Sequence, residues 1–178
     1  MQMAKWLGTI YMNNITYTKT QRQLLLYEIL YTSHEIIISD IMRKLQVSKK
    51  TIQRDLADLT DAGLIHLTYS RKDNSYYHKD ATGIISEKEG TARYAHLKKL
   101  RRLVSFMEEL SDESDHHFGE EYNCKTRYFE LFPDVSERTR MRDYETLKKI
   151  GYSIQWDDYE KCHSVQGYLY QIRENFEL

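Results

Sequence analysis

A single proline, Pro133, and seven glycines are spread over 178 residues, which leaves few places for long irregular loops and predicts a helix-rich chain. The two cysteines, Cys124 and Cys162, are too few and too far apart for a disulfide framework, and point to a reducing cytoplasm. No stretch approaches the roughly 20 apolar residues that a membrane-crossing helix needs. The opening MQMAKWLGTIYMNN holds one lysine and an apolar patch broken by Gly8, and does not read as a signal peptide. There is no glycine-rich phosphate loop, no metalloprotease helix and no G-x-S-x-G, so neither an enzyme nor a cofactor is expected. His116, His117, Cys124, Cys162 and His163 all fall in the second half, but no C-x-x-C or H-x-x-x-H spacing joins them and no metal is expected.

What is present is ordinary in amount and uneven in place. Hydrophobic residues make up 40% and charged residues 30%, enough for a core, and fifteen tyrosines suit small cores and interfaces. The net charge of −1 gives no support to non-specific nucleic-acid binding. Residues 1–107, however, carry 17 Lys/Arg against 10 Asp/Glu, whereas residues 108–178 carry 9 against 17. Much of the acid lies in EELSDESDHHFGEE (108–121), read as a solvated linker loop.

The most informative pattern occurs twice. Residues 47–63 read VSKKTIQRDLADLTDAG and residues 135–151 read VSERTRMRDYETLKKIG, identical at seven of seventeen positions, eighty-eight residues apart. A repeat of this size decides the architecture. Around the first copy, Thr20 and Gln23 have capping-box spacing for a helix reaching about Tyr31. EIIIS (35–39) reads as a strand, Ser39 and Asp40 as N-cap candidates for a brief helix, and Ser48 as the cap of a helix closed by Gly63. LIHLTYS and SYYHK around RKDN read as a hairpin.

Around the second copy, Ser86 and Glu89 have capping-box spacing for a helix reaching about Leu110. Its apolar stripe of Leu97, Leu100, Leu103, Val104, Met107 and Leu110 is wide enough to pack beyond its own unit. Lys98, Lys99, Arg101 and Arg102 beside it read as a solvated face. NCKTRYFELF (123–132) takes the place of the short helix, Pro133 and Asp134 of the turn, and Ser136 caps the second long helix. YSIQW and YLYQI then read as a hairpin with a long polar turn. The resulting fold class is mainly α with small β-hairpin wings: tandem winged helix-turn-helix units joined by a long helix. The expected division is an arm at 1–18, a winged helix at 19–82, a connecting helix at 86–111 and a second, divergent unit at 112–178.

A helix-turn-helix places the N-terminal residues of its second helix against base edges in the major groove. Such a helix needs one apolar face for docking and an opposite face rich in donors and cations. In the first copy Ile52, Leu56 and Leu59 form the stripe, and Lys50, Gln53, Arg54 and Ala57 point away, with Lys49 and Thr51 on the flanks. Gln pairs with adenine, and Arg or Lys with guanine or phosphate. The expected DNA-contacting set is Ser48, Lys49, Lys50, Thr51, Gln53 and Arg54, with Arg71 and Lys72 of the wing on the phosphate backbone. Asp55 and Asp143 are read as structural.

The segment SDIMRKLQVSKKTIQRDLADLTDAGLI resembles the N-terminal winged helix of DeoR-type regulators, a kind of domain that also opens many WYL-domain regulators. The resemblance covers roughly residues 19–80 and implies operator binding by the helix 48–62. It implies no effector, because neither the sugar-phosphate nor the WYL sensor of those families is recognised here. In the second copy, Ser136, Arg138, Thr139 and Arg142 match the first and form a candidate second DNA-contacting set. Arg140, however, stands where Ile52 does, and is expected to snorkel to solvent or extend the basic surface while Met141 joins the core. The expected function is a bacterial, cytoplasmic transcriptional regulator, a repressor acting on double-stranded DNA as a homodimer. Its dimer surfaces are expected on the helix 86–110 and the tyrosine-rich ends. Two alternatives stay open: a tandem winged-helix replication initiator, and a winged-helix interaction protein of the condensin-subunit type.

Overall fold

A computed structural model describes residues 16–33, 35–72, 75–79, 83–112, 123–159 and 161–165. The chain runs through α1 (Lys19–Ser33), β1 (Glu35–Ile37), α2 (Ile38–Leu45), α3 (Lys49–Asp61), β2 (His66–Ser70) and β3 (Ser75–Lys79). It continues through α4 (Ala92–Asp112), α5 (Cys124–Leu131), α6 (Glu137–Lys148), β4 (Ile154–Asp157) and β5 (Cys162–Val165). The fold is mainly helical, with small antiparallel sheets in the order β1-β3-β2 and β4-β5. Helix, strand, helix, helix and hairpin is the winged-helix order, and it makes the first half. Helix, helix, helix and hairpin repeat it in the second. The arm expected at 1–18 lies outside the described residues except for its last three.

Local chemistry explains most element ends and corrects several expectations. The box that starts α1 is Thr18 with Gln21, two residues before the expected Thr20 and Gln23. Thr18 N–H donates to Gln21 Oε1 at 2.9 Å and Gln21 N–H to Thr18 Oγ1 at 3.3 Å. Helix α2 starts directly from β1 with no side-chain cap, so Ser39 and Asp40 lie inside its first turn. Helix α4 begins at Ala92, not near Ser86. Gly90 at φ +85° breaks the backbone there, and Thr91 Oγ1 accepts from Tyr94 N–H at 3.0 Å. Gly63 ends α3 at φ +70°, and a Cβ on it would sit 2.5 Å from the Ile84 backbone nitrogen and oxygen. Its carbonyl accepts from Gly83 N–H at 3.0 Å, tying the chain after the wing back to α3.

The first hairpin pairs as expected, from His66↔Lys79 to Ser70↔Ser75. The second does not: β4 pairs with residues 162–165, from Ile154↔Val165 to Asp157↔Cys162. The polar turn is thus residues 158–161, and YLYQI lies outside the described residues. Within the turn Lys161 adopts φ +52°. The return strand, Cys162–Val165, falls within the segment that the sequence reading had assigned to the loop.

One continuous core runs through both halves. Helix α1 packs on α3, α4 and α6, and this explains why LLLYEIL is apolar nearly all round. The stripe of α4 (Leu97, Leu100, Leu103, Val104, Met107 and Leu110) is buried within the chain, together with Phe106. Phe106 stacks on Tyr144 at 5.6 Å and meets the edge of Tyr128 at 5.1 Å. The stripe expected as a dimer surface is therefore internal: it is the wall against which both halves pack.

The counterpart of α1 is the C-terminal part of α4, in a register eight residues away from the eighty-eight that relates α3 to α6. In the first half Asp55 of α3 is paired with Arg22 of α1; in the second, Asp143 of α6 is paired with Arg102 of α4. The aspartates are eighty-eight residues apart but the arginines only eighty, so eight additional residues lie between α4 and α6. Glu108 and Glu109, the first acids of the run 108–121, lie in α4, within the helix expected to reach about Leu110. Glu108 accepts from Tyr27 Oη, and Glu109 from Arg127 Nε at 2.7 Å. Burial, then Glu108, raises the Tyr27 phenol above its ordinary range, so it remains a donor. Residues 113–122 lie outside the described set.

Candidate nucleic-acid interface

Helix α3 sorts its residues by charge as well as by polarity. Ser48 caps it, with Oγ accepting from Thr51 N–H at 3.2 Å and lying 2.9 Å from Thr51 Oγ1. Ile52, Leu56 and Leu59 are buried, while Lys49, Lys50, Gln53, Arg54 and Ala57 are exposed. The acids of the same helix are turned inward or neutralised. Asp55 accepts from Arg22 Nε and from its Nη2 at 3.2 Å. Asp58 meets Lys19 Nζ at 2.7 Å, Arg93 Nη2 at 3.0 Å and Gln23 Nε2 at 2.9 Å. Asp61 is also taken by Arg93. Burial pushes Asp58 up, but the hydrogen bonds from Lys19, Arg93 and Gln23 outweigh it and hold this carboxyl below its ordinary value.

The outer surface of the N-terminal half of α3 is left with three exposed cations, a carboxamide and a small alanine. The unpaired N–H groups of the helix start add partial positive charge. This matches the face that a groove-reading helix requires. The sequence-expected residues Lys49, Lys50, Gln53 and Arg54 come together on it. Ser48 and half-buried Thr51 stand at its edge, with their hydroxyls engaged in the cap. Arg71 and Lys72 are exposed in the turn between β2 and β3.

Arg22, Lys19 and Arg93 were missed as partners of α3. A signal for Arg22 existed: QRQLLLYEIL and RRLVSFMEEL place an arginine, a glutamate and a leucine alike at an offset of eighty. That match lies at a different offset from the eighty-eight of the longer repeat. The basic run on α4 is likewise not a uniformly solvated face. Arg102 donates to Asp143 Oδ2 at 2.7 Å, and Arg101 to the Gly83 carbonyl at 2.6 Å. Burial works against the Arg102 charge, but Asp143 outweighs it and holds the guanidinium above its ordinary value.

The second copy keeps the frame and changes the face. Ser136 Oγ accepts from Thr139 N–H at 3.3 Å, the same cap as in α3. Arg138 and Arg142 are exposed where Lys50 and Arg54 stand. Glu137 replaces Lys49, Met141 replaces Gln53 and Glu145 replaces Ala57. Arg140 neither snorkels nor extends the surface: it is 2% exposed, the largest buried side chain, while Met141, expected in the core, is 39% exposed. The guanidinium lies 4.6 Å from the centre of the Tyr144 ring, and its Nε and Nη2 donate to Glu137. Its aromatic neighbour and its carboxylate make the buried position tenable. Glu137 is held below its ordinary value by Arg140. His163 is half-buried between Tyr144 and Trp156, at 5.5 and 5.1 Å, and burial lowers it. Cys124 is buried. Among the described residues no group of three His, Cys, Asp or Glu is placed to hold a metal ion, and no helix is long and apolar enough to cross a membrane.

A family model described as an HTH domain matches residues 22–76, from α1 into β3. No curated protein matches the chain, and neither does any solved structure. The match covers the unit whose second helix carries the exposed cationic face, and stops before α4.

Proposed function

Because residues 22–76 are a winged helix-turn-helix DNA-binding domain, we propose that the chain is a transcriptional regulator of DeoR type that reads operator DNA with α3. One observation carries this reading: every acid of α3 is paired with a cation, Asp55 and Asp58 on the buried side and Asp61 with Arg93, while Lys49, Lys50, Gln53 and Arg54 share the exposed side. In this reading Gln53 and Arg54 meet base edges, Lys49 and Lys50 the flanking phosphates, and Ala57 lets the helix lie close. Ser48 and Thr51 face the phosphate at the helix start, where backbone N–H groups also point. Arg71 and Lys72 in the wing add phosphate contacts. Four or so such contacts give a slope of log affinity against log salt of about −4.

A module with so few contacts binds weakly alone, so the regulator acts as a homodimer on a two-part site. It is a repressor that occludes its operator in the cytoplasm, a binding protein rather than an enzyme. Selection of bound sequences from a random duplex pool tests the reading. A recovered motif with two related half-sites is expected, with binding that weakens steeply in salt. No enrichment at low salt overturns it in favour of a pure interaction module. Iterated direct repeats in place of an inverted pair favour replication initiation over repression.

A further inference from the structure

Of the two expected dimer surfaces, the α4 stripe is consumed inside the chain, and the tyrosine-rich ends lie largely outside the described residues. The second unit offers another. Where α3 presents cations of one sign, the exposed face of α6 alternates: Glu137, Arg138, Arg142, Glu145 and Lys148. Met141 stands 39% exposed among them, and Trp156, on the strand that follows, is 51% exposed. Lys148 and Trp156 line one open cleft of about 540 Å³, so the end of α6 and the wing strand share a surface. The four residues connecting β4 to β5 read DYEK where the first wing has RKDN, and the net negative charge of this run repels phosphate.

Exposed Met, Trp and Arg are enriched in protein interfaces, and charge of both signs is unlike a phosphate-facing surface. An alternating pattern is also complementary to itself when turned about a two-fold axis. We propose that the α6–β4 surface, the counterpart of the DNA-reading face in the first unit, is the docking site for a second copy of this chain. Arg142 of one copy meets Glu145 of the other, and the reverse, around Met141. The inference deepens the homodimer of the preceding section, but its test needs no DNA. It therefore fails or stands separately from the operator reading.

The experiment is sedimentation of the full chain over the micromolar range. Wild type is expected to dimerise. Arg142→Glu and Glu145→Arg each place like charges opposite one another and raise the dimer dissociation constant about tenfold or more. Mixing the two variants pairs opposite charges throughout and restores dimers, which are heterodimers. The doubly reversed chain, carrying both substitutions, dimerises like wild type, so misfolding of a single variant is not mistaken for loss of contact. A monomeric wild type, single variants that dimerise unchanged, or a mixture that stays monomeric overturns the proposal. So does an Arg142→Glu variant that loses DNA affinity with its association unaltered, because α6 then faces phosphate.

Discussion

Adjacent residues Arg54 and Asp55 should fail in opposite ways when truncated, and the structure sets the size of each failure. Asp55 has a side-chain exposure of 2% and receives both hydrogen bonds from Arg22, itself 14% exposed. Asp55→Ala leaves a nearly buried guanidinium with no counter-charge. Removing one partner of such a pair costs about 3–5 kcal/mol, and the lower end applies because Arg22 keeps some access to water. At the ~2–4 °C per kcal/mol of a chain this size, the melting temperature should fall by about 6–12 °C. Arg54 is exposed, so Arg54→Ala should change stability by no more than about 0.5 kcal/mol. Its DNA affinity should fall by about 1–3 kcal/mol if it reads a base, with preference relaxed at that position. Thermal melts beside fluorescence anisotropy on the selected duplex measure both. A destabilised Arg54→Ala, or an Asp55→Ala that melts normally but loses DNA, would refute the division of α3 into an inward acidic side and an outward reading side.

Other outcomes follow from the same geometry. Arg71→Ala with Lys72→Ala should flatten the salt dependence of DNA binding by about two units of slope without changing the selected motif; a changed motif would place the wing on bases. Arg140→Met should be neutral or stabilising by about 1 kcal/mol in urea melts, because a buried charge is replaced by an apolar chain of similar length. Glu137→Ala should destabilise by about 1–2 kcal/mol, discounted because Glu137 is 54% exposed. His96, lowered by burial and then by Lys19, and His163 both titrate below their ordinary 6.5. The unfolded chain therefore binds their protons first, and stability present above pH 6.5 should decline as pH falls below it. Asp58, also lowered, adds a further loss below its ordinary 3.8, and a melting temperature that is flat between pH 7 and 5 would contradict the histidine placement.

The parts of the fold that follow local rules were legible in the sequence. The caps Ser48 and Ser136, the closing Gly63, the apolar stripe of α3 and the first hairpin are each set by a few neighbouring residues. The outward face of Lys50, Gln53 and Arg54 follows from helical spacing once Ile52, Leu56 and Leu59 are buried. What escaped depended on contacts distant in sequence. The ion pairs of Asp55 and Asp143 reach across thirty-three and forty-one residues, to helices whose register is hidden by the eight-residue offset change. The α4 stripe was read as wide enough to reach beyond its own unit, and it does, but toward α1 and α6 rather than a second copy. Arg140 is the clearest case. Side-chain length argues for snorkelling, and only the folded chain shows Glu137 and the Tyr144 ring converging on the guanidinium.

The repeat therefore separates two requirements that one helix usually meets together. Docking the helix needs the cap, the inward aspartate with its arginine, and a large residue on the inner stripe. Both copies keep these, and Tyr144 takes the place of Leu56. Reading DNA needs an outer face of one sign, which only α3 has. If both faces were held to the same partner, Lys49, Gln53 and Ala57 would not have become Glu137, Met141 and Glu145 while the frame beneath stayed fixed. The change at Ala57 is the most telling, because in the proposed reading a carboxylate there would stand at the middle of the groove-facing surface and oppose phosphate on both sides. Grafting tests the argument directly. Restoring Lys, Gln and Ala at positions 137, 141 and 145 should give the second unit measurable DNA affinity and weaken self-association. A graft that leaves both properties unchanged would show that the outer face of α6 serves neither purpose.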